Sequence, residues 1–179
     1  MADVNSSQTP QNRKSSKPRA SADPAVSARD DPIQHTEFMS LLYFAYRDFV
    51  GRPDEILTSM NFGRAHHRVI HFVNLNPGLR VSDLLDILKI TKQSLSRVLK
   101  QLVDEGYIEQ RHGPVDRRER LLHMTDRGRV FALKLAESQA ARIEKALNAI
   151  SPENSAIVRR FLISMVDETE RANVEKLIK

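Results

Sequence analysis

Four polar side chains in the middle of the chain share one face of a predicted helix. Gln93, Arg97 and Lys100 follow one another at intervals of three or four residues, with Ser96 beside them. On an α-helix this spacing places side chains on the same face. Amide, hydroxyl and cationic groups bond to base edges and hold phosphates in the major groove of DNA. The face therefore predicts nucleic-acid binding, with a solvated basic surface as the ordinary alternative.

The helix that carries these side chains is marked by apolar spacing and by signals at both ends. Its opposite face has the period of a buried helix face, at Ile90, Leu95, Val98, Leu99 and Leu102. Thr91 can cap the helix at the backbone N–H of Ser94, and Gly106 suits the left-handed position after its end. The sequence predicts a helix from about Lys92 to Glu105, preceded by a short helix and a three-residue turn.

A short hairpin with two arginines is predicted after this helix. Residues 107–111 alternate apolar and polar side chains, and residues 120–124 are expected to form the return strand. Burial does not explain Arg117 and Arg118, because a hairpin this short has no core; arginines at a loop tip fit a narrow minor groove. The order of elements predicts a winged helix-turn-helix, in a fold that is mainly α with a small β-wing.

The segment from about Leu79 to Gly128 resembles the MarR family of bacterial transcription regulators. The family's wing signature is Asp-x-Arg, an apolar strand and Leu-Thr-x-x-Gly. It is matched by Asp116-Arg117-Arg118, Leu121-Leu122 and Met124-Thr125-Asp126-Arg127-Gly128, with Met in place of the first Leu. The resemblance is close over roughly 50 residues. It implies a ligand-responsive repressor that binds a pseudo-palindromic operator in double-stranded DNA as a homodimer.

Within this interpretation, each polar residue has an expected role. Gln93, Ser94 and Arg97 are expected to contact base edges. Lys92, Ser96 and Lys100 are expected to hold phosphates. Arg118, with Arg117 beside it, is expected to enter the flanking minor groove. Asp116 is expected to fix the direction of the arginine by a charge-assisted hydrogen bond.

Composition divides the chain into four parts. Residues 1–32 have almost no large apolar side chains and are predicted to be a disordered tail, whose basic residues could add phosphate contacts. Residues 33–62 are predicted to form an N-terminal dimerisation helix, ending near Gly51 and Pro53, and a linker. Residues 63–126 are assigned to the winged helix-turn-helix, with a helix over residues 63–75. Residues 127–179 are assigned to C-terminal dimerisation helices.

The flanking helices carry more apolar surface than a winged helix of about 60 residues can cover. Three apolar faces recur at helical spacing: Phe38, Leu41, Leu42, Ala45 and Phe49; Ala136, Ala140, Ile143, Leu147 and Ile150; and Ile157, Val158, Phe161, Leu162, Met165 and Val166. Ser151 and Pro152 suit the N-cap and first position of the last helix, which is predicted to run towards the C-terminus. A homodimer of interleaved helices is expected; an intramolecular bundle is the alternative.

The histidines raise a second kind of site. His67 and His71 stand four residues apart, so both could reach one zinc ion, with His35 or Glu37 completing the site. Such a pair is also ordinary helix packing, and neither a metal nor a cofactor is predicted. The resemblance implies instead a pocket for an unidentified small molecule beside the first two helices, with Phe38, Leu42, His67 and His71 as candidate lining residues.

Composition excludes several classes of function. The 179 residues contain no cysteine, which rules out disulfides, thiolate metal sites and thiol redox sensing, and the net charge of +5 suits an anionic partner. There is no apolar run long enough to span a membrane and no apolar leader, so a cytoplasmic protein is expected, on the nucleoid when bound to DNA. No catalytic motif is present. An adaptor that uses a winged helix without DNA remains the alternative.

Overall fold

Seven helices and one small sheet make up the part of the chain that the computed structural model describes, residues 35–178. The predicted tail at residues 1–32 lies outside the described residues. The elements are α1 (Thr36–Thr58), α2 (Arg64–Leu75), β1 (Leu79–Arg80), α3 (Val81–Leu88), α4 (Lys92–Asp104), β2 (Ile108–His112), β3 (Arg120–Met124), α5 (Asp126–Ala149), a 3₁₀ turn (Pro152–Asn154), α6 (Ser155–Ser164) and α7 (Glu168–Leu177). The predicted class, mainly α with a small winged hairpin, is confirmed.

The sheet has three antiparallel strands in the order β1-β3-β2. In the hairpin, Ile108 pairs with Met124 and His112 with Arg120. On the other side of β3, Leu79 pairs with Leu122. The β1 strand was not predicted, because two residues are too few to show an alternating pattern.

Both ends of α4 have the predicted caps. The Thr91 hydroxyl accepts the backbone N–H of Ser94 at 3.2 Å. Gly106 follows the helix with φ of +72°, which a residue with a Cβ adopts only at a cost. The next amide, that of Tyr107, bonds to the Leu102 carbonyl at 2.8 Å. This bond, across the last turn, closes the helix end.

The core lies where α2, α3, α4 and the start of α5 meet the sheet. Four predicted residues of α4 are buried in it, Leu95, Val98, Leu99 and Leu102, while Ile90 is half-buried in the preceding turn. Each buried leucine or valine contributes about 1.5–3 kcal/mol relative to exposure. The polar face of α4 therefore points away from this core.

The prediction that the first helix ends near Gly51 and Pro53 is wrong, because α1 continues to Thr58. A proline inside a helix leaves the carbonyl four residues earlier without its usual donor. Here that carbonyl belongs to Phe49, and it accepts Nε2 of Gln139 from α5 at 3.4 Å. Pro53 and Leu57 are also fully buried. Tertiary contacts thus keep the helix intact through the proline.

The C-terminal helix starts later than predicted. Ser151 has φ of +73° and precedes a 3₁₀ turn, so it is not the N-cap of an α-helix that starts at Pro152. The turn is closed by the Asn154 backbone N–H, which donates to the Ser151 carbonyl at 3.0 Å. Its side-chain Nδ2 donates to the carbonyl of Ile150 at 2.6 Å. These local bonds delay the α-helix to Ser155.

The predicted single last helix is also divided into α6 and α7. Arg171 of α7 explains the break: its guanidinium donates to the carbonyls of Ser164 and Val166 at 2.9 and 3.0 Å. Carbonyls at the end of a helix need such a partner. No helix in residues 35–178 combines the length and the apolarity that crossing a membrane requires.

Candidate nucleic-acid interface

All six predicted contact residues of α4 are exposed: Lys92, Gln93, Ser94, Ser96, Arg97 and Lys100. They occupy the first nine residues of the helix, ahead of the turn that Gly106 ends. The first turn of a helix also presents free backbone N–H groups, which favour an anion such as phosphate. The structure thus brings donors for both bases and phosphates to one solvent-facing surface.

Two residues of this surface already have partners. The Lys100 ammonium forms an ion pair with Asp104, one turn further along the helix. Both groups are well exposed, so this pair contributes little stability and exchanges readily for another anion. The Ser94 hydroxyl accepts a hydrogen bond from the Thr91 hydroxyl at 2.9 Å and can still donate its own hydrogen.

A polar chain from α2 holds the middle of α4 in place. The Gly63 N–H donates to Nδ1 of His66 at 3.1 Å, so the ring carries its proton on Nε2. That Nε2 donates to the side-chain carbonyl of Gln101 at 2.9 Å, and Gln101 donates to the Glu105 carboxylate at 3.0 Å. The position of α4 against α2 is thereby fixed. Sequence reasoning missed this role of His66, although its position three residues after a helix cap is a detectable signal.

The end of α4 is held from α5. Arg127 donates to the carbonyl of Glu105 and to the Tyr107 hydroxyl, both at 2.9 Å. Its guanidinium also lies 4.4 Å from the centre of the Tyr107 ring, a cation–π arrangement. Gly128 sits so close to this turn that an added Cβ would lie 2.0 Å from the Tyr107 carbonyl oxygen. The Thr-x-x-Gly segment therefore fixes the start of α5 against the end of α4.

The wing between β2 and β3 has both predicted arginines exposed, Arg117 and Arg118. The role of Asp116 differs from the predicted one: its carboxylate accepts the backbone N–H of Arg118 at 2.8 Å. Among the ion pairs of the described residues, none joins Asp116 to a guanidinium. A hydrogen bond from an aspartate carboxylate to the backbone N–H two residues later stabilises a turn. Asp116 thus directs the loop backbone, and the arginine heads stay available.

Two further contacts support the wing. His112 donates through Nδ1 to the Arg117 carbonyl at 2.7 Å. At the end of the wing loop, directly before β3, Glu119 forms a 3.2 Å ion pair with Arg80. Arg80 is the N-cap residue of α3 and makes no side-chain capping bond there. The pair joins the wing to the helix-turn-helix, and its residues are too far apart in the sequence to have been paired in advance.

The four candidate pocket residues have different surroundings. Phe38 and Leu42 are exposed on α1. Burial lowers the pKa of His67, and repulsion from a protonated His71 would lower it further. Burial also lowers the pKa of His71, which lines a cleft of about 780 Å³ formed with α3 and α7. Because both pKa values are lowered, both imidazole rings are mainly neutral near pH 7.

The zinc alternative lacks a third ligand in the described part of the chain. Among residues 35–178 no group of three His, Asp or Glu side chains is placed to hold a metal ion. The pair of His67 and His71 alone is an incomplete site for zinc, which takes three or four protein ligands.

A helix-turn-helix with an exposed polar helix and a basic wing defines a DNA-binding winged-helix protein, and comparison with known proteins identifies the family. The model of the MarR family matches residues 60–119. The HTH-type transcriptional regulator PetP of Rhodobacter capsulatus is 46% identical over 136 residues, which cover 76% of this chain and 82% of that protein. The chain belongs to the MarR family of transcription regulators, which are DNA-binding proteins rather than enzymes.

Solved structures share the fold. The crystal structure of Streptococcus pneumoniae FabT in complex with DNA aligns with a TM-score of 0.62 and 21% identity, over 72% of this chain and 92% of that chain. The structure of NadR in complex with 4-hydroxyphenylacetate aligns with a TM-score of 0.62 and 20% identity, over 74% of this chain and 94% of that chain. At these identities the likeness establishes the fold alone.

Proposed function

We propose that the protein is a homodimeric repressor that binds a pseudo-palindromic operator and is released from it by a small-molecule effector. One observation carries the proposal: the exposed polar face of α4 stands beside a wing whose two arginines are unburied. Major-groove donors next to minor-groove cations match the two surfaces that B-DNA presents in adjacent grooves. The protein would act in the cytoplasm, on the nucleoid when bound.

Within the proposal, α4 enters the major groove. Gln93, Ser94 and Arg97 contact base edges, because they combine an amide, a hydroxyl and a bidentate cation. Lys92, Ser96 and Lys100 hold phosphates, and Lys100 exchanges Asp104 for a phosphate when DNA arrives. The wing places Arg118, with Arg117, in the flanking minor groove, on a backbone shaped by Asp116.

The dimer is inferred from apolar surface that the single chain leaves exposed. On α1 this surface comprises Phe38, Met39, Leu41, Leu42, Tyr43, Phe44 and Tyr46, each 46–65% exposed. On α5 and α6 it comprises Ile143, Ile150, Ile157, Phe161, Leu162 and Met165, each 45–55% exposed. Many exposed large apolar side chains on the same helices are typical of a protein–protein interface. Its occurrence at both termini favours a second copy that interleaves the same helices.

Operator geometry tests the dimer and DNA binding together. Genomic fragments from the source organism would be selected with the purified protein, and hydroxyl-radical footprints recorded on the tightest one. Two symmetric protected segments, centred about 10–10.5 base pairs apart, are expected from two helices in successive major grooves. A single protected half-site would contradict the dimer. The absence of salt-dependent binding at micromolar protein would contradict DNA binding itself.

We propose that the effector binds beside α2. A small-molecule complex of NadR, a protein of this fold, supports a ligand-binding site in the architecture. His67 and His71 are partly buried neutral rings on α2, and such rings can accept or donate a hydrogen bond to an uncharged or anionic ligand. His71→Ala should leave operator affinity unchanged and abolish release by any effector found in a metabolite screen. Unchanged release by that variant would remove His71 from the site.

A further inference from the structure

The tip of the wing presents an apolar side chain to solvent. Val115 is 97% exposed, and the next most exposed large apolar residue in the described part of the chain, Val130, is 69% exposed. It stands between Pro114 and Asp116, two residues before the first of the two arginines. A valine at this position does not serve the fold, since it contacts no core. Because it lies near two cations on the hairpin that is proposed to contact DNA, the surface available to it is the DNA minor groove.

The backbone around Val115 is held in a defined shape. The Gly113 N–H donates to the Glu119 carbonyl, and the Glu119 N–H donates to the Asp116 carbonyl, each at 3.1 Å. The Asp116 carboxylate closes the turn at Arg118. Pro114 has a fixed φ. Val115 is therefore presented by an ordered tip, and ordering it against a surface costs little entropy.

The minor groove offers an apolar side chain different surroundings at the two kinds of base pair. Its walls are deoxyribose C–H groups, and its floor at A·T pairs carries acceptors only. At G·C pairs the guanine 2-amino group projects into the groove. At a G·C pair a valine isopropyl group would meet this amino group and cover its groove-facing N–H, which would lose its bond to water, a loss that apolar contact does not offset.

We propose that Val115 is a specificity-determining residue, which makes the wing discriminate against G·C pairs in the minor groove flanking the operator. This inference rests on the proposed insertion of the wing. It assigns the two side-chain types separate tasks. The arginines respond to groove width and negative potential, whereas Val115 responds to the presence of the 2-amino group.

Inosine isolates the 2-amino group, because an I·C pair lacks it and keeps the major-groove face of G·C. Since its removal also alters groove width, the tasks are separated by comparing Val115 and Arg118 variants on the same flanks. Three operators with one core and A·T, I·C or G·C flanks would be titrated with wild type, Val115→Ala, Val115→Thr and Arg118→Ala. Val115→Ala should reduce the preference for I·C over G·C flanks about three- to tenfold, since it removes two methyl groups from the contact. The salt dependence of its binding should equal that of wild type.

Val115→Thr keeps the branched shape of the side chain and thus the turn. Its hydroxyl can accept a hydrogen bond from the guanine amino group, so this variant should also reduce the preference for I·C over G·C flanks. An unchanged ratio of I·C to G·C affinity in both Val115 variants would overturn the assignment. So would an equal loss on all three operators, which would mean that Val115 only shapes the hairpin. Arg118→Ala reports on the wing itself: if it leaves every affinity unchanged, wing insertion fails, and the Val115 proposal fails with it.

Discussion

The winged-helix lobe (residues 63–135) and the outer helices (residues 36–49 and 143–166) have similar apolar periodicity and opposite burial. In the lobe, Leu95 and Leu102 are at most 1% exposed; in the outer helices, Leu162 and Phe161 are each 52% exposed. Apolar spacing of helical period therefore predicts that a helix face is buried. It does not tell whether the same chain or a second chain buries it. The lobe covers its own faces, whereas the outer helices need a second copy in the proposed dimer.

Two helices of the lobe, α4 and α5, also have local support at their first turns. Thr91 and Thr125 cap these two helices with their side chains, whereas Arg80 before α3 makes no such bond. In the outer helices, the N-cap residue of α6, Asn154, also makes no side-chain capping bond. A capping bond is worth about 1 kcal/mol. The starts of α4 and α5 thus have local as well as tertiary support, and α6 depends more on packing.

The largest expected effect comes from truncating one leucine in each region. Leu102→Ala should lower the free energy of unfolding by about 3–5 kcal/mol, because it opens a cavity in the core. Leu162→Ala should change that free energy far less in the isolated fold and weaken the dimer. Urea unfolding and light scattering of both variants over a range of protein concentrations measure the two effects. An undisturbed dimer in Leu162→Ala would remove that side chain from the interface.

Two helical glycines, one in each region, differ in the space that is open to an added Cβ. Gly128→Ala should destabilise the lobe by about 2–3 kcal/mol, since the new Cβ would meet the Tyr107 carbonyl at 2.0 Å. Gly51→Ala of α1 meets no atom within 4 Å and should stabilise the chain by about 0.5–1 kcal/mol. Thermal unfolding of the two variants side by side tests this. A destabilised Gly51→Ala would indicate that a partner subunit packs there.

A smaller effect is expected from pH at α2. Burial lowers the pKa of His67 and of His71 below the ordinary value, so the unfolded chain takes up protons first as the pH falls. Stability should be fully present above about pH 6.5 and should decline as the pH falls below it. The double variant His67→Asn/His71→Asn should flatten this decline, and the pH slopes of both proteins should coincide near pH 8. Parallel profiles at low pH would show that other groups cause the decline.

Local signals in the sequence predicted the lobe well. The ends of α4 depend on Thr91 and Gly106, which act within a few residues of themselves. The exposed contact face followed from helical spacing alone, and the family signature placed the wing.

The features that sequence reasoning missed depend on side-chain bonds that apolar spacing does not mark. At Pro53 of α1, the unpaired carbonyl is bonded by Gln139, a residue 90 positions away. The pair of Arg80 and Glu119 joins separate elements. The division of the last helix is stabilised by Arg171, which bonds to carbonyls five and seven residues earlier. The turn made by Asp116 uses a backbone amide where a side-chain pair was expected.

In the proposed complex, α4 distinguishes bases with some side chains and holds phosphates with others. The most direct measurement compares Arg97→Ala and Lys100→Ala on an operator and on single-base variants of it, over a series of salt concentrations. Arg97→Ala should cost about 1–3 kcal/mol and relax the preference at one position. Lys100→Ala should weaken binding to all sequences alike and lower the salt slope by about one. A uniform loss in both variants, with every base preference kept, would contradict the claim.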